Sequence, residues 1–340
     1  MIKISAVKKI IISILPAEIA NFLRNLRLKY NMFRTYYYDF KRYFVFSSSK
    51  GFLSKEQLIG GIILEYHVIE KGLTMPETRL GFGREKILSL CDKCIDFIRK
   101  YKDEDIQLKH AIGVVFEYKY FHEKNSFQLD EEILSKIGIL EKIYDGMIMR
   151  TIQKEISKDA YFSHSFGPFN AFSMSRSSVR NYSDENIPEE KINAAISLAS
   201  NAPSACNRQP WRTYVYTKES EINRILQVQG GNRGFGHLTN KLIIIAGELS
   251  MFGYLQERNQ VFIDGGIYAM NLLYSLHFHQ IATCILNCSH SIEKDRQLRE
   301  LCKIKESEVF IAMITCGVPP EKFKVAISKR YDIHKTNVIY

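Results

Sequence analysis

No apolar run near the start of this 340-residue chain is long enough to cross a bilayer. Residues 10–15 are apolar, but Pro16 and Glu18 close the run well short of the roughly 20 residues a spanning helix needs. No small-residue cleavage site follows a proper apolar core, so we read no signal peptide and expect a cytoplasmic protein. Cysteine is sparse: seven residues, an odd number at irregular spacings, argue against a disulfide framework and for reduced thiols. Cys91 and Cys94 form a single CxxC on one expected helix face with no second pair nearby, so buried thiols are the plainer reading than zinc or redox chemistry. Also missing are a P-loop, an HExxH motif and a Ser-His-Asp order, and we expect no metal. The glycines of GGNRGFG do not follow a strand and open a helix, which excludes a Rossmann-type NAD site there.

Acidic residues are scarce at the N-terminus. The first fifty residues hold ten Lys plus Arg against two acids, so +8 of the formal net charge of +10 lies in that arm. Ten aromatics lie between Phe22 and Phe46 in the same stretch. Such an arm suits an anionic membrane surface, which would make the protein peripheral to the inner face of the membrane. The alternative is a helix packing its aromatics on the body or a partner, with its lysines in water. No nucleic-acid motif is present, and no nucleic-acid partner is expected.

Residues 1–46 read as two amphipathic helices, the first with Ile4, Val7, Ile11 and Ile14 at helical spacing, and Ser47, Ser48, Ser49 and Gly51 mark a break. From residue 54 to about 158 the period stays helical. Residues 159–175 show no clear period and hold Gly167 and Pro168, so the domain junction is placed there: a helical N-terminal region over 1–165 and a second domain over 172–340. The second domain alternates helical patterns with apolar strands at 212–217, 242–246, 281–286 and 309–316. Helices are expected at 188–201, 219–228, 260–279 and 292–302. Without regular βαβ repeats, this mixture argues α+β. In the 260–279 helix, Gly265, Gly266 and Ala269 are small enough for another helix to approach, which fits a subunit interface.

The richest chemistry lies between Arg176 and Trp211. RSSVRNY puts two guanidinium groups and the hydroxyls of Ser175, Ser177 and Ser178 within reach of one anion, since alternate residues of extended chain point the same way. APSACNRQPW holds Ser204, Asn207 and Gln209 between two prolines and ends in the only tryptophan, a stiffened polar loop beside an aromatic. The first composition suits a phosphate, and the second a ribityl chain and a flat ring.

These two motifs, in this order and spacing, resemble the FMN-binding signature of the nitroreductase family. GGNRGFGH followed by KLIIIAG, then DGGIYAMNLLYSL, IATCILN, CGVPP and SKR continue in that family's order, so the likeness covers about half the chain. The resemblance implies a nitroreductase-like α+β fold with FMN as cofactor. It assigns Arg176, Ser177, Ser178 and Arg180, with Lys329 and Arg330 near the C-terminus, to the phosphate. Pro203, Ser204, Ala205, Asn207 and Gln209 match the loop that reaches the flavin from the opposite subunit in the family's dimers, and a homodimer is expected. Ala205 stands where many members carry a second serine. Asn232 matches a residue on the pyrimidine side, whereas Phe235 stands where some members have a lysine. This leaves Arg180 as the remaining cation for the N1/O2 edge, where reduction places negative charge. Asn287 and Cys288 fall near the flavin N5 position, at a place where a better-known subgroup has Glu-Gly.

The resemblance also implies an FMN-dependent oxidoreductase running ping-pong, with NAD(P)H, NADPH included, as donor and an unspecified oxidised acceptor; no catalytic side chain is singled out. His67, Glu70 and Lys71, in HVIEKGLTMPETRLGFG, end a charged helix at a Gly-Pro-Gly loop, which reads as a helix C-cap and turn. The segment is similar to helical extensions of nitroreductase-like proteins from surface-polysaccharide gene clusters. That similarity keeps open a second role, a flavin-fold scaffold or interaction module in surface-polysaccharide biosynthesis.

Overall fold

The computed structural model of the chain describes residues 16–101, 105–144 and 152–340. Its contacts divide the chain into two compact units, residues 1–57 and residues 58–340. In the first, α1 (Ala17–Phe46) is one continuous helix. The first of the two expected arm helices, with Ile4, Val7, Ile11 and Ile14, lies outside the described residues. Aromatics at helical spacing stack along α1: Phe33 on Tyr37, Tyr37 on Phe40 and Phe40 on Phe44, with ring centroids 5.8, 6.0 and 5.7 Å apart. The expected break follows at once. Gln57 Nε2 donates to the carbonyls of Phe46 and Ser47, and Gly51 takes a φ of 106°, a conformation costly for other residues.

The second unit opens with helices α2 (Lys55–Leu73, beginning just before the division), α3 (Arg84–Tyr101), α4 (Ile106–Lys124) and α5 (Glu131–Ile143). Their apolar stripes meet in one core that includes Ile62, Ile69, Leu90, Ile112 and Ile137, all fully buried. Cys91 and Cys94 lie inside it. Burial pushes the Cys91 thiol up to about 12 and Cys94 well above its ordinary value, so both are inert packing thiols.

The helical pattern expected up to residue 158 ends earlier. Gln153–Ser157 is a strand, β1, paired antiparallel with β6 (Lys322–Ala326), Gln153 opposite Ala326 and Ser157 opposite Lys322. A five-residue segment that opens on three long polar side chains, Gln153, Lys154 and Glu155, carries no period of its own, so its distant partner decides its state. Residues 159–175 hold two short helices that periodicity does not reveal, α6 (Lys158–Phe162) and α7 (Phe169–Ser175). The expected junction near residue 165 lies within the second unit, between the helical core of residues 58–152 and two further cores whose members run from Tyr161 to Val325.

The expected α+β class is borne out. β2 (Trp211–Tyr216), β3 (Lys241–Glu248), β5 (Glu308–Gly317) and β4 (Ala282–Asn287) form an antiparallel sheet in the order β2-β3-β5-β4. Both faces of β3 are covered, which is why KLIIIAG reads as an unbroken apolar run. Leu242, Ile244 and Ala246 face α9 (Glu219–Gln229) and α11 (Ile292–Cys302); Ile243 and Ile245 face α8 (Glu189–Ala199) and α10 (Gln260–Phe278).

α10 is oriented differently from the sequence expectation. Gly265 packs inward, where a Cβ would stand 2.7 Å from Ile311 Cγ1, and Ala269 is buried in the sheet core. The close approach these small residues permit is to β5 of the same chain. The outward face instead carries Gly266, Phe262, Ile263 and Ile267.

Candidate functional site

The Arg176–Arg180 segment leaves α7 in extended conformation and lies along β4. Ser178 bridges Thr283 in parallel, and the Val179 amide donates to the Thr283 carbonyl at 2.9 Å. Tyr182 secures the far end, its hydroxyl donating to the Val179 and Thr315 carbonyls. Val179 is fully buried, so Ser178 and Arg180 are turned to the other side of the segment, beside Cys284. Burial raises the Cys284 thiol pKa, while the Arg180 and Lys71 cations and hydrogen bonds from Ser178 and Arg180 oppose it.

Arg180 is 6% exposed, and the buried Nε atoms of Arg176 and Arg180 have no hydrogen-bond partner among the described residues. A desolvated guanidinium N–H without an acceptor costs about 1–3 kcal/mol or more. Both donors lie on one short extended segment, where an anion could accept from them. Behind Arg176, His277 Nε2 meets Ser175 Oγ at 2.7 Å; burial, then Arg176, lowers its pKa to about 4 and keeps the ring neutral.

β4 leads to the Gly-rich turn. Gln229 Nε2 donates to the Asn287 carbonyl at 3.2 Å, and Gln229 Oε1 accepts from the Gly231 amide at 2.7 Å. Asn232 spends its amide within the turn, donating to the Leu226 carbonyl at 2.6 Å and to Gln229 Oε1 at 3.1 Å. A Cβ at Gly236 would stand 2.1 Å from Asn232 Oδ1, so only glycine allows this closure. Phe235 is fully buried in the core. Asn287 Oδ1 accepts from the Ser289 amide, and Cys288 packs against the core, where burial pushes its thiol up to about 12.

Pro203, Ser204, Ala205, Asn207 and Gln209 stand apart from that set, on a loop fixed by its own contacts. The Ala205 amide donates to Asp264 Oδ2 at 3.1 Å, and Asp264 itself is 1% exposed and receives Gln260 Nε2. Ser204 Oγ accepts from the Gln209 amide at 2.9 Å. Arg208 pairs with Glu257 and lies over the Phe252 ring. Cys206, Asn207 and Gln209 all take positive φ, 52°, 55° and 47°, a strained run that persists because these contacts over-determine it. Asn207 and Gln209 are thereby held exposed at the tip. Among the described residues, no hydrogen bond joins this loop to the Arg176–Arg180 strand of the same chain. Asp264 carried no sequence signal beyond a charge inside an apolar helix.

The C-terminal loop is held by the helical half. The Ser328 amide donates to Glu70 Oε1 at 3.1 Å, and the Lys329 carbonyl accepts from Gln107 Nε2 at 3.1 Å. Glu70 is fully buried and is also met by His110 Nε2 at 3.0 Å. Burial opposes its ionisation, but hydrogen bonds from His110 and the Ser328 amide, with His67 Nδ1 3.7 Å from the other oxygen, outweigh this and hold the carboxyl down at about 2. Arg330 folds back onto the Ser328 carbonyl at 2.6 Å. Glu70 therefore does more than end a helix.

Residues 174–232 match the sequence model of the nitroreductase family. Over 49 residues the chain is 45% identical to a 4-nitrobenzoate reductase of Nocardioides sp. (strain LMS-CY), covering 14% of this chain and 20% of that protein. Over 148 residues it is 26% identical to an Archaeoglobus fulgidus protein provisionally named NADH dehydrogenase/NAD(P)H nitroreductase, covering 43% of this chain and 83% of the other. An FMN-dependent nitroreductase from Clostridium difficile R20291 superposes over 51% of this chain and 98% of its own, with a TM-score of 0.42 and 19% identity. The residues that match the nitroreductase family's sequence model, 174–232, hold the arginine segment, the Ser204–Gln209 loop and Asn232.

Proposed function

We propose that the protein is an FMN-dependent oxidoreductase of nitroreductase type. The observation that carries this reading is the pair of buried, unpartnered guanidinium nitrogens of Arg176 and Arg180 inside the family-matched segment. With the hydroxyls of Ser177 and Ser178 between them, they suit a phosphate monoester, and charge-assisted contacts hold a dianion better than neutral donors would. Lys329 and Arg330 lie on a loop that Glu70 and Gln107 have already ordered, so closing it on the phosphate loses little entropy.

FMN, when bound, supplies the hydride chemistry. The chain's part is to bind, orient and exclude water. NAD(P)H donates and leaves, and an oxidised acceptor then uses the same pocket, a ping-pong sequence. The Ser204–Gln209 loop supports a homodimer: it is rigid, exposed at Asn207 and Gln209, and separate from the arginine strand of its own chain, so it is suited to completing a neighbour's site. The apolar outward face of α10, with Phe262, Ile263 and Ile267, supports an interface beside it. Among the described residues, no group of His, Cys, Asp and Glu could hold a metal ion, and no helix is long and apolar enough to cross a membrane.

The purified protein should show flavin absorption bands that bleach anaerobically with NADPH, and should sediment as a dimer. A colourless protein that cannot be reconstituted with FMN refutes the reading, and a flavin-loaded monomer refutes the shared site.

A further inference from the structure

The helix α1 carries a long apolar stripe with a strict repeat. From Ile19 through Leu23 and Leu26 to Phe44, eight large apolar residues recur at alternating spacings of four and three, a period that lays them along one side of the helix. All eight are exposed, from 43% at Leu23 to 67% at Phe33. Phe22, Tyr36 and Tyr43 widen the stripe along one edge and are exposed as well. Along the other edge run Arg27, Arg34 and Lys41, seven residues apart, and the last two lie over the rings of Tyr30 and Tyr37 at 5.7 and 5.8 Å. Single exposed apolar residues need no explanation, but a contiguous face of this length marks an interaction surface.

Charge, ring chemistry and length together identify what meets that surface. Six basic residues stand against two acids, Glu18 and Asp39, between Ala17 and Phe46, and neither acid lies at a position flanking the stripe. A second copy of α1 would therefore bring like-charged rows together with no flanking carboxylate to pair them. From Tyr30 onward every residue of the stripe is aromatic, and four are tyrosines. A helix seated on the stripe would bury those hydroxyls, each of which then needs a partner, whereas at a lipid surface the rings enter the acyl boundary and the hydroxyls meet the headgroups. Thirty residues at 1.5 Å each make α1 about 45 Å long, more than a bilayer core needs, yet it is not apolar enough to cross one. A helix of that kind lies along the surface. We propose that α1 is an in-plane anchor for an anionic lipid surface, with the stripe from Ile19 to Phe44 sunk to the acyl boundary and Arg27, Arg34 and Lys41 at the headgroups. The inference uses none of the residues assigned to FMN and stands independently of that reading.

The test is flotation of the full-length protein with vesicles at low salt. Vesicles of equal parts phosphatidylglycerol and phosphatidylcholine should bind it at least about tenfold more tightly than phosphatidylcholine alone. Replacing two stripe residues together, Phe33→Ser with Phe40→Ser, should weaken binding to the anionic vesicles at least about tenfold, and so should Arg27→Gln with Arg34→Gln and Lys41→Gln. Leu28→Ser with Met32→Ser removes as many apolar side chains from outside the stripe and should stay within about threefold of wild type. Tryptophan placed at Phe33 should shift its emission to the blue on anionic vesicles and be quenched by brominated acyl chains, and tryptophan at Tyr38, on the opposite side of α1, should do neither; this pair keeps the test open if the serine variant loses helix by circular dichroism. Unchanged binding by the stripe variant, or no quenching at position 33, overturns the inference and leaves only adsorption of the basic residues. Unchanged binding by the charge variant overturns it too, as does an equal loss in the variant outside the stripe. Wild-type protein that ignores both kinds of vesicle refutes it, and if the stripe variant then sediments as a smaller species, a second copy of the chain covers the stripe instead.

Discussion

Replacing Glu70 with glutamine tests the link between the helical half and the C-terminal loop. The carboxylate is fully buried; one oxygen receives the Ser328 amide and faces His110, and His67 Nδ1 lies 3.7 Å from the other. The groups around it are His67, His110, Tyr66 and the Ser328 amide. Its pKa is lowered from 4.5 to about 2, so its contribution to stability is full above 4.5 and is lost as pH falls through 2. At 1.36 kcal/mol per pH unit, that displacement is worth on the order of 3 kcal/mol at neutral pH. Glutamine keeps one acceptor but turns a donor towards groups that already donate, so Glu70→Gln should lose about 2–3 kcal/mol at pH 7. The gap between the two proteins should narrow by roughly 2 kcal/mol between pH 7 and pH 3, because the wild type gives up its carboxylate advantage over that range. Urea unfolding at the two pH values reads this directly, and hydrogen exchange at Ser328 should accelerate in the variant. A gap that is the same at both pH values, or a loss at pH 7 under about 0.5 kcal/mol, would refute the reasoning.

Two further expectations concern the phosphate strand and the arm. Arg180→Ala should weaken FMN retention by some thirtyfold, about 2 kcal/mol, and by more than Arg212→Ala, because Arg212 is exposed and makes only local carbonyl contacts; equal flavin content in the two variants would count against the assignment. Removing residues 1–46, which lie in the unit that holds none of the proposed site, should leave FMN binding and dimerisation intact. If the arm's cations meet an anionic bilayer, at roughly 1 kcal/mol per basic residue, full-length protein should bind acidic vesicles at low salt and release at high salt while the truncated form does not bind. Insolubility of the truncated form, with full-length protein indifferent to vesicles, would show that the aromatics cover the protein's own surface.

What the sequence determined by itself is whatever short-range physics governs. An apolar run such as LIII at 242–245 can only be a strand buried on both faces or a buried helix turn, and its flanking turns decide for the strand. The helix from Ile292 to Cys302 follows from its Ser291 cap and its amphipathic period. Arg176, Ser178 and Arg180 share a side because alternation is a property of extended chain, and the spacing of the two motifs carried the family likeness. What only the tertiary structure decided depends on partners far along the chain. Gln153–Ser157 became a strand because residues 322–326 lay alongside it. Gly265 turned inward because Ile311 approaches that side of α10. Glu70 meets Ser328 across 258 residues, Gln107 meets Lys329 across 222, and Lys71 reaches Gly231 across 160. No local pattern encodes such pairs: a buried glutamate and an exposed one look alike in a helical stretch, and they differ only in which backbone amide the folded chain brings to them.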